Sequence, residues 1–172
     1  MTTMATWVPV DPEIGLQPIA STSTTQNHPL GKIIKGKTTN LTTQVFGEFV
    51  YLLGVVSTVV GSAVIYDESD GTTKLFVAGL LGPVAVAMSA NVASQYGWYQ
   101  ITGPAAILSA TVADSAKVYI DTATGKIDDA FVTLNRVENA VTRSASDTTT
   151  ITSATAATVG LSRAYINKIK DS

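Results

Sequence analysis

The apolar positions of this chain gather in short runs, and the clearest, residues 49–65 (FVYLLGVVSTVVGSAVI), contains no charged residue. Val55, Val56, Thr58, Val59, Val60, Val64 and Ile65 are β-branched, and Gly54 and Gly61 punctuate the run where turns between strands would fall. A membrane span needs about 20 predominantly apolar residues and basic flanks to orient it. Here Glu48 precedes the run and Asp67, Glu68 and Asp70 follow it. The pattern predicts strands.

Downstream, the polar stretch Asp67-Glu68-Ser69-Asp70-Gly71-Thr72 predicts a hairpin loop closed by a strand over residues 73–78. Residues 83–88 place apolar side chains beside Ala rather than charge, which predicts a strand covered on both faces. Trp98, Tyr99, Gln100 and Ile101, bounded by Gly97 and Gly103, predict a short aromatic strand that anchors a core or an interface. Residues 131–134 and 164–169 read as further strands, residues 144–149 as a polar loop, and residues 135–144 are ambiguous. Residues 101–126 echo residues 52–74. Each has a Gly, a small-residue stretch, a Ser-Ala step, an aromatic strand ending at Asp and a Thr/Gly turn. The echo predicts two equivalent strand-turn-strand units in one body.

Residues 1–44 differ from this body. Pro9, Pro12, Pro18 and Pro29 forbid a long helix, and the tract Ser21-Thr22-Ser23-Thr24-Thr25-Gln26-Asn27 offers no core face. The expected organisation is an extended N-terminal arm over residues 1–44 and an all-β domain over residues 45–172, a β-barrel or β-sandwich. Trp7, Val8, Ile14, Leu16 and Ile19 are the side chains with which the arm could dock, either on a neighbouring chain or on its own domain. With Trp98 and Tyr99 they form the candidate interface.

Composition narrows the function. A chain of 172 residues accommodates one ordinary domain. Charged residues make up 14%, well below the usual ~25%. A net charge of −2 gives no basic field for nucleic acid, which is not an expected partner. The absence of cysteine removes disulfide and thiolate chemistry. The first residues show neither a basic region nor an apolar core of a secretory signal, so Sec export is not expected.

Catalytic chemistry finds little support. The single histidine, His28, sits in the proline-rich arm, where a solvated loop residue is expected rather than a general base. The acidic residues at Asp67–Asp70 lack the twelve-residue spacing of an EF-hand and read as a hairpin tip. Gly79-Leu80-Leu81-Gly82 is followed by Pro83 and a strand, not by the Lys-Ser/Thr and helix of a phosphate loop. The expectation is a non-enzymatic protein without cofactor or metal.

The segments GPVAVAMSANVASQYGWYQITG (residues 82–103) and GVVSTVVGSAVIYDE (residues 54–68) resemble small virion proteins of tailed bacteriophages, in particular head decoration, or cement, proteins. VADSAKVYIDTATGKIDD (residues 112–129) is similar to a segment of such decoration domains, with Asp114 where a glycine is more usual. The resemblance covers roughly residues 45–130. It implies an all-β structural protein, made in the host cytoplasm and placed on the outer surface of the capsid. There it would bridge neighbouring major capsid protein subunits, often as a homotrimer, with no membrane partner. Two other classes compete: a small membrane protein of lysis type, with spans near residues 49–65 and 75–93, and a glycan- or receptor-binding β module that exposes Trp98 and Tyr99.

Overall fold

The computed structural model describes residues 6–10, 15–39, 44–132, 135–143, 147–151 and 154–166. Among them there is no helix, and hence none long and apolar enough to cross a membrane. The fold is all-β. Thirteen strands form it: β1 (Trp7–Pro9), β2 (Ile33–Thr38), β3 (Phe46–Leu53), β4 (Ala63–Tyr66), β5 (Thr73–Leu75), β6 (Gly82–Ala87), β7 (Tyr96–Gln100), β8 (Thr102–Leu108), β9 (Lys117–Ile120), β10 (Ile127–Asp128), β11 (Arg136–Thr142), β12 (Asp147–Ile151) and β13 (Ala154–Ile166). The charge-free run of residues 49–65 is thus most of β3, a loop and most of β4. Residues 75–93 hold the end of β5, the whole of β6 and two loops.

The strand pairs are antiparallel and fall into two halves. In the first, the order is β1-β2-β3-β7-β6-β4-β5; in the second it is β8-β13-β11-β9-β10, with β12 paired to β13. They join where Tyr165 and Ile166 of β13 pair with Pro83 and Gly82 of β6. In each half the first and last strands of the shared motif touch. Leu53 N–H donates to Gly71 C=O (3.0 Å) in one, and Ala110 N–H to Ile127 C=O (2.9 Å) in the other. No continuous ladder closes either half into a barrel.

The internal echo in the sequence is a structural repeat. The motif β3-β7-β6-β4-β5 has the same pairing order as β8-β13-β11-β9-β10. The hairpins match residue for residue: Tyr66 pairs with Thr73 and Ile65 with Lys74, just as Ile120 pairs with Ile127 and Tyr119 with Asp128. Both loops are closed by an aspartate N–H, Asp67 to Thr72 C=O and Asp121 to Lys126 C=O, and both turn through a glycine of positive φ, Gly71 and Gly125. Strands β4 and β9 are entered alike. Gly61 and Ser115 donate to Ala87 and Thr142 C=O, and Ala87 and Thr142 donate back to Ser62 and Ala116 C=O.

Side-chain alternation then distributes the core. Ala63 and Ile65 of β4 and Val84 and Val86 of β6 face the second half, where they pack with Ile107, Val118, Ile120, Val137, Val159 and Leu161. Val64, Ala85 and Ala87 point the other way and join Val50, Leu52, Tyr99 and Ile101 inside the first half. Phe49, Tyr51 and Trp98 lie beneath the N-terminal segment with Ile19 and Ile34. The central strands are covered on both faces, which is why they read as continuous apolar runs. Several boundaries differ from the sequence pattern. The ambiguous stretch 135–144 contains β11, residues 147–149 of the expected polar loop lie in β12, and residues 131–132 are not strand.

Gly54 ends β3 against the backbone of the loop over residues 88–95: a Cβ there would stand 1.9 Å from Asn91 O and 2.6 Å from Val92 O. Gly79, with φ of 87°, has nothing within 4 Å of a Cβ. Gly54→Ala is therefore expected to cost more than about 3 kcal/mol, because two backbone segments must separate. Gly79→Ala should cost about 1 kcal/mol, from the left-handed backbone alone. Urea denaturation of the two variants measures the contrast.

Candidate interaction surfaces

The arm does not stand apart from the body. β1 pairs with β2 and β2 with β3, so residues 33–38 extend the main sheet, and the boundary expected at residue 44 falls between two paired strands. Residues 15–32 turn back on themselves, with Ser21 N–H bonded to Pro18 C=O and Lys32 N–H to Pro29 C=O, and cover Phe49, Tyr51 and Trp98 of β3 and β7. They are fixed there by Gln17, which is buried and has each of its polar groups hydrogen-bonded along this seam. Its backbone N–H donates to His28 Nε2 (3.1 Å), and its C=O accepts from Trp98 Nε1 (2.9 Å). Its Nε2 donates to the carbonyls of Ser21 (2.7 Å) and Tyr96 (3.1 Å), while its Oε1 accepts from Tyr51 OH (2.8 Å) and Asn27 Nδ2 (3.0 Å). Ser23 and Tyr96 exchange backbone bonds of 3.0 and 2.8 Å.

Aromatic rings fill the space beneath. Tyr51 and Trp98 meet at 4.9 Å between centroids, and His28 lies 5.1 Å from Tyr51 and 5.4 Å from Trp98. His28 is thus a half-buried member of this cluster and an acceptor for Gln17, not the solvated loop residue its context suggested. Trp7 packs its ring edge on Phe49 at 5.1 Å.

These contacts relocate the candidate interface. Ile19, Trp98 and Tyr99 are fully buried in the chain's own core; Leu16, Trp7 and Val8 are half-buried along the seam; Ile14 lies outside the described residues. The polar handles of the aromatic strand are taken internally. Trp98 Nε1 meets Gln17, and Tyr99 OH accepts from Asn91 Nδ2 at 3.0 Å. Of the two arrangements open to the arm, the described residues adopt docking on their own domain.

Exposed apolar side chains occur at positions the sequence did not single out. Phe46 and Phe131 are 59% and 63% exposed, and Val56, Val59, Ile33 and Leu81 also face solvent. Phe46 borders a groove of about 540 Å³ with Val10, Lys35, Gly47, Glu48 and Thr102. Lys35 stands opposite Glu48 on the paired strands, and Arg163, at φ of 46° in a bulge of β13, donates from Nη2 to Glu48 Oε2 at 2.8 Å. This groove combines a Lys35–Glu48 pair and the Thr102 hydroxyl with apolar surface from Val10 and Phe46. Among the described residues no cluster of three or more His, Asp or Glu side chains is arranged to hold a metal ion. Comparison with protein-family models, curated proteins and solved structures finds no match to this chain.

Two outcomes follow from the seam. Deleting residues 1–30 removes the cover of Tyr51 and Trp98 and all the bonds of Gln17. The truncated chain is expected to lose at least about 3 kcal/mol of stability. Trp98 is then its only tryptophan, so a red-shifted emission reports the exposure directly, and an unchanged blue emission and melting curve would refute the role. Burial raises the Tyr99 hydroxyl above the ordinary value of 10.0, with hydrogen bonds involving Asn91, Thr73 and Thr58 opposing the shift. A raised folded-state pKa means that Tyr99 contributes stability below about pH 10 and loses it as pH climbs through the folded value. Absorbance at 295 nm should therefore show Tyr99 ionising together with unfolding, after the exposed tyrosines.

Proposed function

We propose that this chain is a structural virion protein that binds the outer surface of a tailed-phage capsid and cements neighbouring major capsid protein subunits. The observation that carries the reading is where the resembling segments fall. Residues 54–68 supply β4, residues 112–129 supply its counterpart β9 together with β10, and residues 82–103 supply β6 and β7, which pair with each other between β3 and β4. The resembling segments thus fall on paired strands of both halves.

The physical chemistry is consistent with a clamp. A doubly layered β body with few charges has no evident chemistry to perform, but it offers a rigid surface that can be repeated many times on a symmetric shell. Many modest contacts made together hold far more strongly than any one of them. The glycan-binding reading loses its support because Trp98 and Tyr99 are both buried. The lysis reading rested on spans over residues 49–65 and 75–93, which are short strands and loops.

The test is to mix the purified chain with expanded, undecorated heads of its phage and sediment the particles. Saturable co-sedimentation, together with heads that resist a higher temperature before releasing DNA, is the expected result. Absence of binding to such heads, with the chain folded and its tryptophan emission blue, would remove the proposal.

A further inference from the structure

The side of β1, β2 and β3 that faces away from the N-terminal segment carries charge and apolar surface together. Side chains alternate along a strand, so Lys35 and Lys37 of β2 point to this side, opposite Glu48 and Phe46 of β3 in register. Val10, whose N–H donates to Lys35 C=O at 2.9 Å, adds a second apolar side chain beside the same strand. Val10, Lys35, Phe46 and Glu48 line one groove of about 540 Å³.

Phe46 is held in solvent by regular structure. Its backbone belongs to β3 and is paired with β2, yet its side chain is 59% exposed. A large ring kept in water on a rigid strand suits a docking anchor, because no backbone has to be ordered when a partner covers it. The charges around it are unbalanced. Among the described residues Glu48 is the one carboxylate that lines the groove, and Arg163 takes it, donating from Nη2 to Glu48 Oε2 at 2.8 Å. Arg163 does so from a φ of 46°, a conformation that persists only where the surroundings impose it. Its own N–H donates to Ile101 C=O at 3.2 Å. Among the described residues neither Lys35 nor Lys37 joins an ion pair. Three cations thus meet one carboxylate on this face of a chain whose net charge is −2.

We propose that this face docks an acidic segment of a partner protein, which sets carboxylates on Lys35 and Lys37 and an apolar side chain between Val10 and Phe46. Charge complementarity selects the occupant. The uncommitted lysines match anionic groups, and the exposed ring and valine match an apolar one. A peptide that carries both satisfies the surface where a simple polyanion does not. A nucleic acid is the poorer fit, because its affinity rests on releasing counterions from many phosphates, and two free lysines neutralise few. The capsid reading enters only as the place where such a partner is found, the outer surface of the shell.

The probe is a random copolymer of glutamate and tyrosine, titrated calorimetrically into the full chain at about 0.15 M salt, where distant charges are screened. Polyglutamate and single-stranded DNA of similar length are the comparisons, and the copolymer is expected to bind more tightly than either. Phe46→Ser is expected to weaken its binding at least about tenfold, through loss of the aromatic contact, and Lys35→Glu/Lys37→Glu by about as much. Should the reversed variant fold poorly, Lys35→Gln/Lys37→Gln places no second acid opposite Glu48 and is expected to weaken binding about threefold. Lys74→Glu/Lys117→Glu, at exposed lysines of β5 and β9, is expected to leave it unchanged. No binding by the folded chain, equal binding of polyglutamate or DNA, or indifference to Phe46→Ser and to both variants of Lys35 and Lys37 overturns the proposal. Co-sedimentation of the same variants with heads separates the two readings. Copolymer binding without head binding retains this surface and removes the capsid reading. Head binding that ignores all of these variants retains the capsid reading and overturns this face as the docking surface.

Discussion

Strands β3, β4, β6 and β7 carry apolar side chains on both faces, and a sheet of that kind cannot leave either face in water. Each of these strands buries several residues, and fully burying one large apolar side chain is worth about 1.5–3 kcal/mol. The sheet therefore needs covers on two sides, and the rest of the chain supplies them. The second half packs on Ala63, Ile65, Val84 and Val86, while the N-terminal segment covers Phe49, Tyr51 and Trp98. The curl of the first half encloses Val50, Leu52, Val64, Ala85, Ala87 and Tyr99.

The two covers are of different kinds. The second half is a repeat of the first, matched in strand order and in hairpin register, and it attaches through a broad apolar contact. The N-terminal segment has few apolar side chains and a polar composition. It is held by hydrogen bonds that converge on Gln17 and by the rings of His28, Tyr51 and Trp98. Buried polar groups are costly when unpaired. A segment so attached stays in place because leaving would expose the apolar rings of Tyr51 and Trp98 to water and give up the hydrogen bonds that Gln17 makes to both.

This arrangement also bears on recognition. Residues with the composition of interface anchors are buried to complete the fold, and the solvent-facing apolar side chains are found elsewhere, on loops and at strand ends. Phe46 shows how. It shares its strand face with Val50 and Leu52, which are enclosed, but it lies beyond the curl of the sheet and is exposed at 59%. Its partner in register is Lys37, and the neighbouring pair is Lys35 with Glu48, so the same face changes from core to surface within one strand.

Much of the architecture was legible in the chain itself. β-branched runs punctuated by glycine fix strands because side-chain shape and turn geometry are local properties, and the echo between residues 52–74 and 101–126 marks two hairpins that match in detail. Local pattern could not show that Gln17 and His28 belong to a buried seam, since their partners lie at Tyr51, Tyr96 and Trp98, far along the chain. Nor could it rank Trp98 against Val56 as a surface residue, because exposure depends on which other element covers a face. The sequence by itself determined an all-β, internally repeated, weakly charged protein. Only the tertiary structure decided which apolar residues are enclosed and which meet solvent, because burial is a property of long-range packing between segments that no local periodicity encodes.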